Sequence, residues 1–432
     1  MSHRSESSII RRSLLTSATV GALLLAAPAL WAQAAADLSF HRATVVRAPL
    51  DTAVPQSSDL FALACATSAS CSAGGSYKAG GGLVEAMVVS RSNGHWLRAV
   101  SLQLPMNAAA QPFAEVNGLA CISAGNCVAV GDYQYQGGSG KPEAFIATQR
   151  RGRWSRAFVP ALPANASPTA SNQLEGVSCL RIGYCAAIGN YRDLAGNEQI
   201  VALAKPVAGH WGQGVEVTAP VQAGSAPRAF MEGISCTAPG ACVAVGPYDS
   251  GTNELAMGAV ELTGTWRRAV SLRLPPNANG TFAALRSISC TTAGSCLAVG
   301  AYSLGGDGAF RALGVTESKG HFGRAFEITA VPGGVGANPV SELNHVSCIR
   351  HGPCVAVGFV RNKARHFVAM YAIRSVGHWA AAFEKLPASA ATGRSQDSEL
   401  GSVSCSPTGT CTAVGFYAAT GGGNRADAAS TG

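Results

Sequence analysis

The chain has 432 residues, 13% of them charged and 47% hydrophobic, with 51 glycines, 14 cysteines and a formal charge of +8. A core of some size can be buried, and the length allows two or three domains or one large all-β domain. Lys and Arg are scattered with no run of five, which argues against a nucleic-acid groove, while the mild basic excess is compatible with anionic polymers.

The first element is a predicted export segment over residues 1–34. Arg4, Arg11 and Arg12 precede the apolar stretch Leu14–Leu30, and Ala32-Gln33-Ala34 reads as a small-x-small cleavage site. "RRSLL" also resembles a twin-arginine signal. The mature chain is expected to start at Ala35, to lack a membrane span, and to be secreted or periplasmic, where disulfides persist. A short strand follows in Ser39–Leu50, "SFHRATVVRAPL".

From there the cysteines organise the chain. They form seven pairs: Cys65 with Cys71, Cys121 with Cys127, Cys179 with Cys185, Cys236 with Cys242, Cys290 with Cys296, Cys348 with Cys354, and Cys405 with Cys411. Each pair has five intervening residues, first cysteines recur every 54 to 58 residues, and none is left over. "GLACISAGNCVAVGDY" and "SISCTTAGSCLAVGAY" show the common text: small and β-branched residues, a turn between the cysteines, then V-A-V-G. That pattern predicts a β-hairpin in each repeat. Cysteines at the two ends of a five-residue loop can bring their β-carbons within bonding reach. A loop this short contributes about 2 kcal/mol per bridge. Zinc sites use closer pairs that converge, and C-x-x-C redox motifs are absent, so the pairs read as structural staples with no metal or cofactor.

About 30 residues after the first cysteine of every repeat but the last comes a G-x-W turn, as at Gly94–Trp96, Gly152–Trp154 and Gly264–Trp266, with Phe322 replacing Trp in one copy. A third strand precedes it and a fourth follows, which makes four strands per repeat of about 57 residues. Such a unit reads as one blade of a seven-bladed β-propeller. The last hairpin lacks a fourth strand. Ser39–Leu50 aligns with "HWLRAVSLQLP", so the N-terminal strand is expected to complete the last blade and close the ring. The tail "NRADAASTG" is expected to give a weak third strand, with an imperfect seal.

The [VI]-S-C-x5-C-x-A-V-G-x-Y repeats resemble those of secreted bacterial β-propeller proteins, and the G-x-W turn resembles a degenerate Asp-box of sialidase-type propellers. "SRSNGHW" keeps Ser90, Gly94 and Trp96 of that box and lacks its Asp. The resemblance implies a propeller over residues 35–432 and a ligand face opposite the disulfide and G-x-W turns.

Repeated features mark construction, so a site is sought where equivalent positions diverge. Four residues before each first cysteine stand Phe61, Asn117, Glu175, Glu232, Arg286, Asn344 and Gly401. The residue after V-G is also variable and includes Asp132, with Tyr133 and Tyr191 from the neighbouring tyrosine series. Asn117, Glu175, Glu232, Arg286, Asn344, Asp132, Tyr133 and Tyr191 are therefore the candidate ligand residues, at the mouth of a central channel. No catalytic set is identified. The expected role is a monomeric binding or scaffold module for a glycan or protein. A glycan-acting hydrolase or lyase and a purely structural envelope protein are the two rivals.

Overall fold

The computed structural model describes residues 38–304, 309–333, 335, 339–393 and 396–432, and the predicted export segment lies outside them. The described chain is all-β apart from one three-residue turn of helix at Val221–Ala223. All seven expected disulfides are present: Cys65 to Cys71, Cys121 to Cys127, Cys179 to Cys185, Cys236 to Cys242, Cys290 to Cys296, Cys348 to Cys354, and Cys405 to Cys411. In each, the two cysteines face one another across an antiparallel pair. Seven such bridges belong to a chain that folds in an oxidising environment. No described helix is long and apolar enough to cross a membrane.

Each repeat is an antiparallel sheet in chain order. The second repeat is typical: Glu115–Ser123 pairs with Asn126–Gln134, which pairs with Pro142–Arg150, which pairs with Arg153–Trp154. Four-stranded sheets recur along the chain, and a single parallel bridge, Glu254 to Phe282, links the fourth and fifth repeats. The G-x-W turns are tight two-residue hairpins. In five of them a non-glycine residue and the following glycine both take positive φ, as at Asn93 and Gly94 (50° and 81°). That is the turn geometry whose twist matches the flanking strands. The third repeat departs from the expectation: no strand forms at Trp211, and its fourth strand starts later, at Val215–Val217.

The V-G dipeptide has a packing cause. A Cβ on Gly75, Gly131, Gly189, Gly246, Gly300, Gly358 or Gly415 would lie 1.9 to 2.1 Å from a carbonyl oxygen of the neighbouring first strand. Only glycine admits that approach, so the same glycine stands in every repeat.

Packing between repeats makes the core. Each apolar cluster spans two consecutive repeats, as where Leu102 of the first meets Val116 and Phe145 of the second. Another joins the two ends of the chain: Val46, Leu60, Tyr77 and Met87 pack with Val414, Ala426 and Ala428. Hydrogen bonds run between repeats as well. The serine before the first cysteine accepts a bond from the backbone N–H of the next repeat's first cysteine, as Ser178 from Cys236 and Ser347 from Cys405, each at 3.0 Å. Ser404 of the last repeat accepts from Cys65 of the first, also at 3.0 Å.

The N-terminal strand Thr44–Val45 pairs antiparallel with Asn424–Ser430, Thr44 opposite Ala428 and Val45 opposite Asp427. The tail is firmer than expected. It aligns with Cys411–Ala418 at seven successive positions and is buried at Ala426, Asp427, Ala428 and Ala429. Its alternate small residues face neighbouring sheets, which gives a polar-looking sequence a buried strand. These features together make the architecture β-propeller-like.

One seam between repeats differs from the rest. Where Leu102 meets Phe145, Leu272 meets Leu313 and Ile328 meets Met370, the sixth and seventh repeats place Glu384 and Asp427. Glu384 is 6% exposed and Asp427 is fully buried, and none of their four carboxyl oxygens finds a donor among the described residues. Burial, then the charge of Asp427, raises the Glu384 carboxyl, and burial pushes Asp427 up to about 8.

Candidate functional site

A cavity of about 370 Å³ is lined by residues from all seven repeats. Its wall includes every member of the diverging series: Phe61, Asn117, Glu175, Glu232, Arg286, Asn344 and Gly401. A backbone irregularity aims them there. In six first strands the pairing register skips one residue, between Leu60 and Ala62, Val116 and Gly118, Leu174 and Gly176, Leu285 and Ser287, Leu343 and His345, and Leu400 and Ser402. The skipped residue is the lining residue each time. In the fourth repeat Glu232 stands just before the strand Gly233–Ala238. Such a bulge breaks the two-residue alternation and redirects a side chain. The residue before the bulge pairs with the V-G glycine, as Leu174 does with Gly189. The small residue after it lies against the next repeat: a Cβ on Gly118 would come within 2.7 Å of the Glu175 carbonyl.

The lining is acidic, with one guanidinium held inside it. Arg286 forms ion pairs with Glu232 at 2.6 Å and with Glu342 at 2.7 Å. Burial works against its charge, but Glu232 and Glu342 overcome that and hold the guanidinium firmly protonated. Burial raises the Glu232 carboxyl, and Arg286 pulls it back. Asn344 donates to Glu399 at 2.7 Å and to the Leu400 carbonyl at 3.0 Å. Burial nonetheless pushes Glu399 up to about 7, with Glu342 and Asp59 adding to it.

The Glu175 side chain has no hydrogen-bond or ion partner among the described residues. It sits deep in the molecule while keeping some surface open to the cavity. Burial, then the charges of Asp132, Glu232 and Glu115, push it up to about 8, against a weaker pull from Arg286. His345 also lines the cavity. Burial lowers it to about 4, and its Nδ1 accepts a 3.5 Å bond from the Val403 N–H, so it stands there as a neutral imidazole.

The structure thus brings together five of the candidate residues, Asn117, Glu175, Glu232, Arg286 and Asn344. Asp132 lies behind that wall, accepting a 2.9 Å bond from Asn117, and burial raises it to about 6. Tyr133 and Tyr191 do not join the cavity. Both are fully buried, Tyr133 with its hydroxyl on Asn107 and Glu143, Tyr191 with its hydroxyl on Asn165 and Glu216. Their role is to tie the loops between repeats to the sheet.

Sequence reasoning missed Glu115, Glu399 and His345 in the lining. Glu115 and Glu399 occupy the position two residues before the diverging one, where strand alternation returns a side chain to the same face. His345 is the one large residue in the column Ala62, Gly118, Gly176, Gly233, Ser287, His345, Ser402. Either signal was available in the repeats.

No family model matches the chain, and no curated protein matches its sequence. Among solved structures it is similar to a protein of unknown function from Dyadobacter fermentans, at 9% identity and a TM-score of 0.50, covering 91% of this chain and 99% of that one. It is also similar to a Penicillium chrysogenum alpha-L-arabinanase, at 10% identity and a TM-score of 0.43, covering 91% and 98%. A third is the Hadza microbial sialidase Hz136, at 11% identity and 0.41, covering 80% and 72%. The first likeness speaks for fold alone, and the other two are too distant in shape to bear on chemistry.

Proposed function

We propose that residues 35–432 form an exported seven-bladed β-propeller, closed by its own N-terminal strand, which binds a ligand carrying a positive charge in the central cavity. Ring closure is supported by the pairing of Thr44–Val45 with the C-terminal strand and by the bond from Cys65 to Ser404. Export is supported by seven disulfides and by the basic and apolar segment that opens the sequence.

The observation that carries the binding reading is the lining itself. Every repeat contributes its one non-repeating residue to a single cavity, six of them from a bulge, and that lining is acidic around an arginine already neutralised by two carboxylates. Glu175 is left without a partner among the described residues and holds a proton at neutral pH. A protonated amine or a basic side chain would replace that proton and stabilise the carboxylate.

Binding of the mature protein to an array of amines, basic peptides and neutral glycans tests this. Amine or basic-peptide signals that strengthen from pH 6 to 9 and vanish in Glu175→Gln and Glu232→Gln are expected. Signals confined to neutral glycans, or unchanged in both variants, would refute it.

A second reading has its own support. Glycoside hydrolysis generally uses one protonated carboxyl as acid and one ionised carboxylate. Glu175, pushed up to about 8, and Glu232, held by Arg286, have those characters. Turnover of activated aryl glycosides, abolished by Glu175→Gln and falling as pH rises through 8, would favour it over simple binding.

A further inference from the structure

A second concave surface lies away from the acidic cavity, on the outer strands of the fourth and fifth repeats. It is a groove of about 620 Å³ whose lining includes Arg267, Arg268, Arg273, Arg324 and His321, with no Asp or Glu among the described residues that form it. The two strands bounding it are joined by a backbone bond from Ala325 to the Arg273 carbonyl, 2.8 Å long. The Phe322 ring closes the floor: it sits so near Gly258 that a Cβ there would lie 2.2 Å from it.

The arginines are held in two different ways. Arg268 donates to the Ala219 carbonyl at 2.9 Å and Arg324 to the Leu274 carbonyl at 3.2 Å, each reaching back to the preceding repeat. The same reach recurs at Arg42, Arg98 and Arg156, so these guanidiniums form a row of positioned positive charges along the outer strands. Arg267 and Arg273 are exposed, and their side chains have no hydrogen-bond or ion partner among the described residues. Among the described residues, only this seam sets two unpartnered arginines beside two pinned ones.

We propose that this groove binds an anionic polysaccharide strand, one bearing sulfate or carboxylate groups. Guanidinium presents paired donors to either group in the plane that each prefers. A polymer fits better than a single small anion, because the positive charges continue along neighbouring outer strands. A nucleic acid fits less well: base stacking is strongest on a broad exposed aromatic face, and here the Phe322 ring is laid on the floor, which leaves the small His321 imidazole as the one exposed ring of the lining.

The test uses the full mature chain. Binding to a sulfated glycosaminoglycan, to polygalacturonate and to neutral dextran is measured at several salt concentrations. Affinity for at least one of the two polyanions, none for dextran, and weakening with salt are expected. Arg267→Ser combined with Arg273→Ser should weaken binding about tenfold and flatten the salt dependence. Arg150→Ser combined with Arg153→Ser, which removes equal charge from another outer turn, should stay within about twofold. All four arginines are exposed, and an unchanged melting temperature confirms that each variant folds. Equal losses in the two variants would mean net charge alone is at work and would overturn the site. So would absence of polyanion binding at about 150 mM salt, where exposed charges are already screened. Displacement by inorganic sulfate at the concentration of the polymer's own sulfate groups would overturn the polymer as ligand.

Discussion

Replacing the buried acids between the sixth and seventh repeats should make the protein more stable and less sensitive to pH. The variant is Asp427→Met with Glu384→Leu, which restores the apolar pairing that other seams have. Both carboxyls have folded-state values raised above their ordinary ones, Asp427 to about 8. The folded protein therefore holds a proton that the unfolded chain gives up near pH 4. Stability is greatest below that pH, falls as pH rises towards 8, and levels off beyond. A tenfold change in proton affinity corresponds to about 1.4 kcal/mol, so a single retained proton makes the fold on the order of 5 kcal/mol less stable at pH 8 than at pH 3. For a chain of this size that is about 6 °C in Tm. Glu175, Glu399, Asp59 and Asp132 titrate in the same direction, so the informative quantity is wild type minus double variant. Thermal unfolding from pH 4 to 9 should show the two proteins diverging as pH rises, with the variant the more stable at pH 8. A gap that stays constant with pH, or a variant that melts lower at pH 8, would refute the reasoning.

Other outcomes follow from the same structure. Gly358→Ala places a methyl 2.1 Å from the Glu342 carbonyl, and should cost about 2 kcal/mol or more by moving the bulge, read as a lower urea midpoint. Deleting residues 39–50 removes the strand opposite Asn424–Ser430 and its packing on Met87, and should lower Tm sharply; an unchanged Tm would contradict closure by that strand. Ser404→Ala removes the acceptor for the Cys65 N–H, and should cost about 1 kcal/mol, whereas Ala120→Ser should supply the equivalent acceptor for the Cys179 N–H and add a similar amount, both read from urea unfolding.

The sequence carried most of the architecture because the repeat states the cysteine pair and its glycine seven times and the G-x-W turn, once as G-x-F, six times. The cysteine pair, the V-G glycine and the G-x-W turn each answer to a local geometry that only one or two residue types satisfy, so they recur. The lining of the cavity was legible for the opposite reason: the diverging position faces open space in most repeats, so Phe61, Asn117, Glu175 and their equivalents differ, and only at Gly401 does a neighbouring carbonyl, 2.5 Å from where a Cβ would stand, demand glycine. What stayed hidden depends on contacts between repeats. The buried Tyr133 and Tyr191 find partners for their hydroxyls 25 or 26 positions away, at Asn107, Asn165 and Glu216. The acid pair Glu384 and Asp427 is invisible until the sixth outer strand is laid against the seventh sheet. The C-terminal strand looked weak because its alanines carry little hydrophobic signal, yet small residues are what that tight seam accepts.

The pairing of the two chain ends also imposes an order on events. Thr44 finds its partner Ala428 across 384 residues, whereas every sulfur bridge closes over a separation of six. Hairpins can be tied one after another as they emerge, but the opening segment must wait with an unsatisfied edge until the very last strand is delivered. A chain cut short between residues 412 and 423 would keep all seven bridges and still be left with that edge exposed, a ready template for sticking to its neighbours.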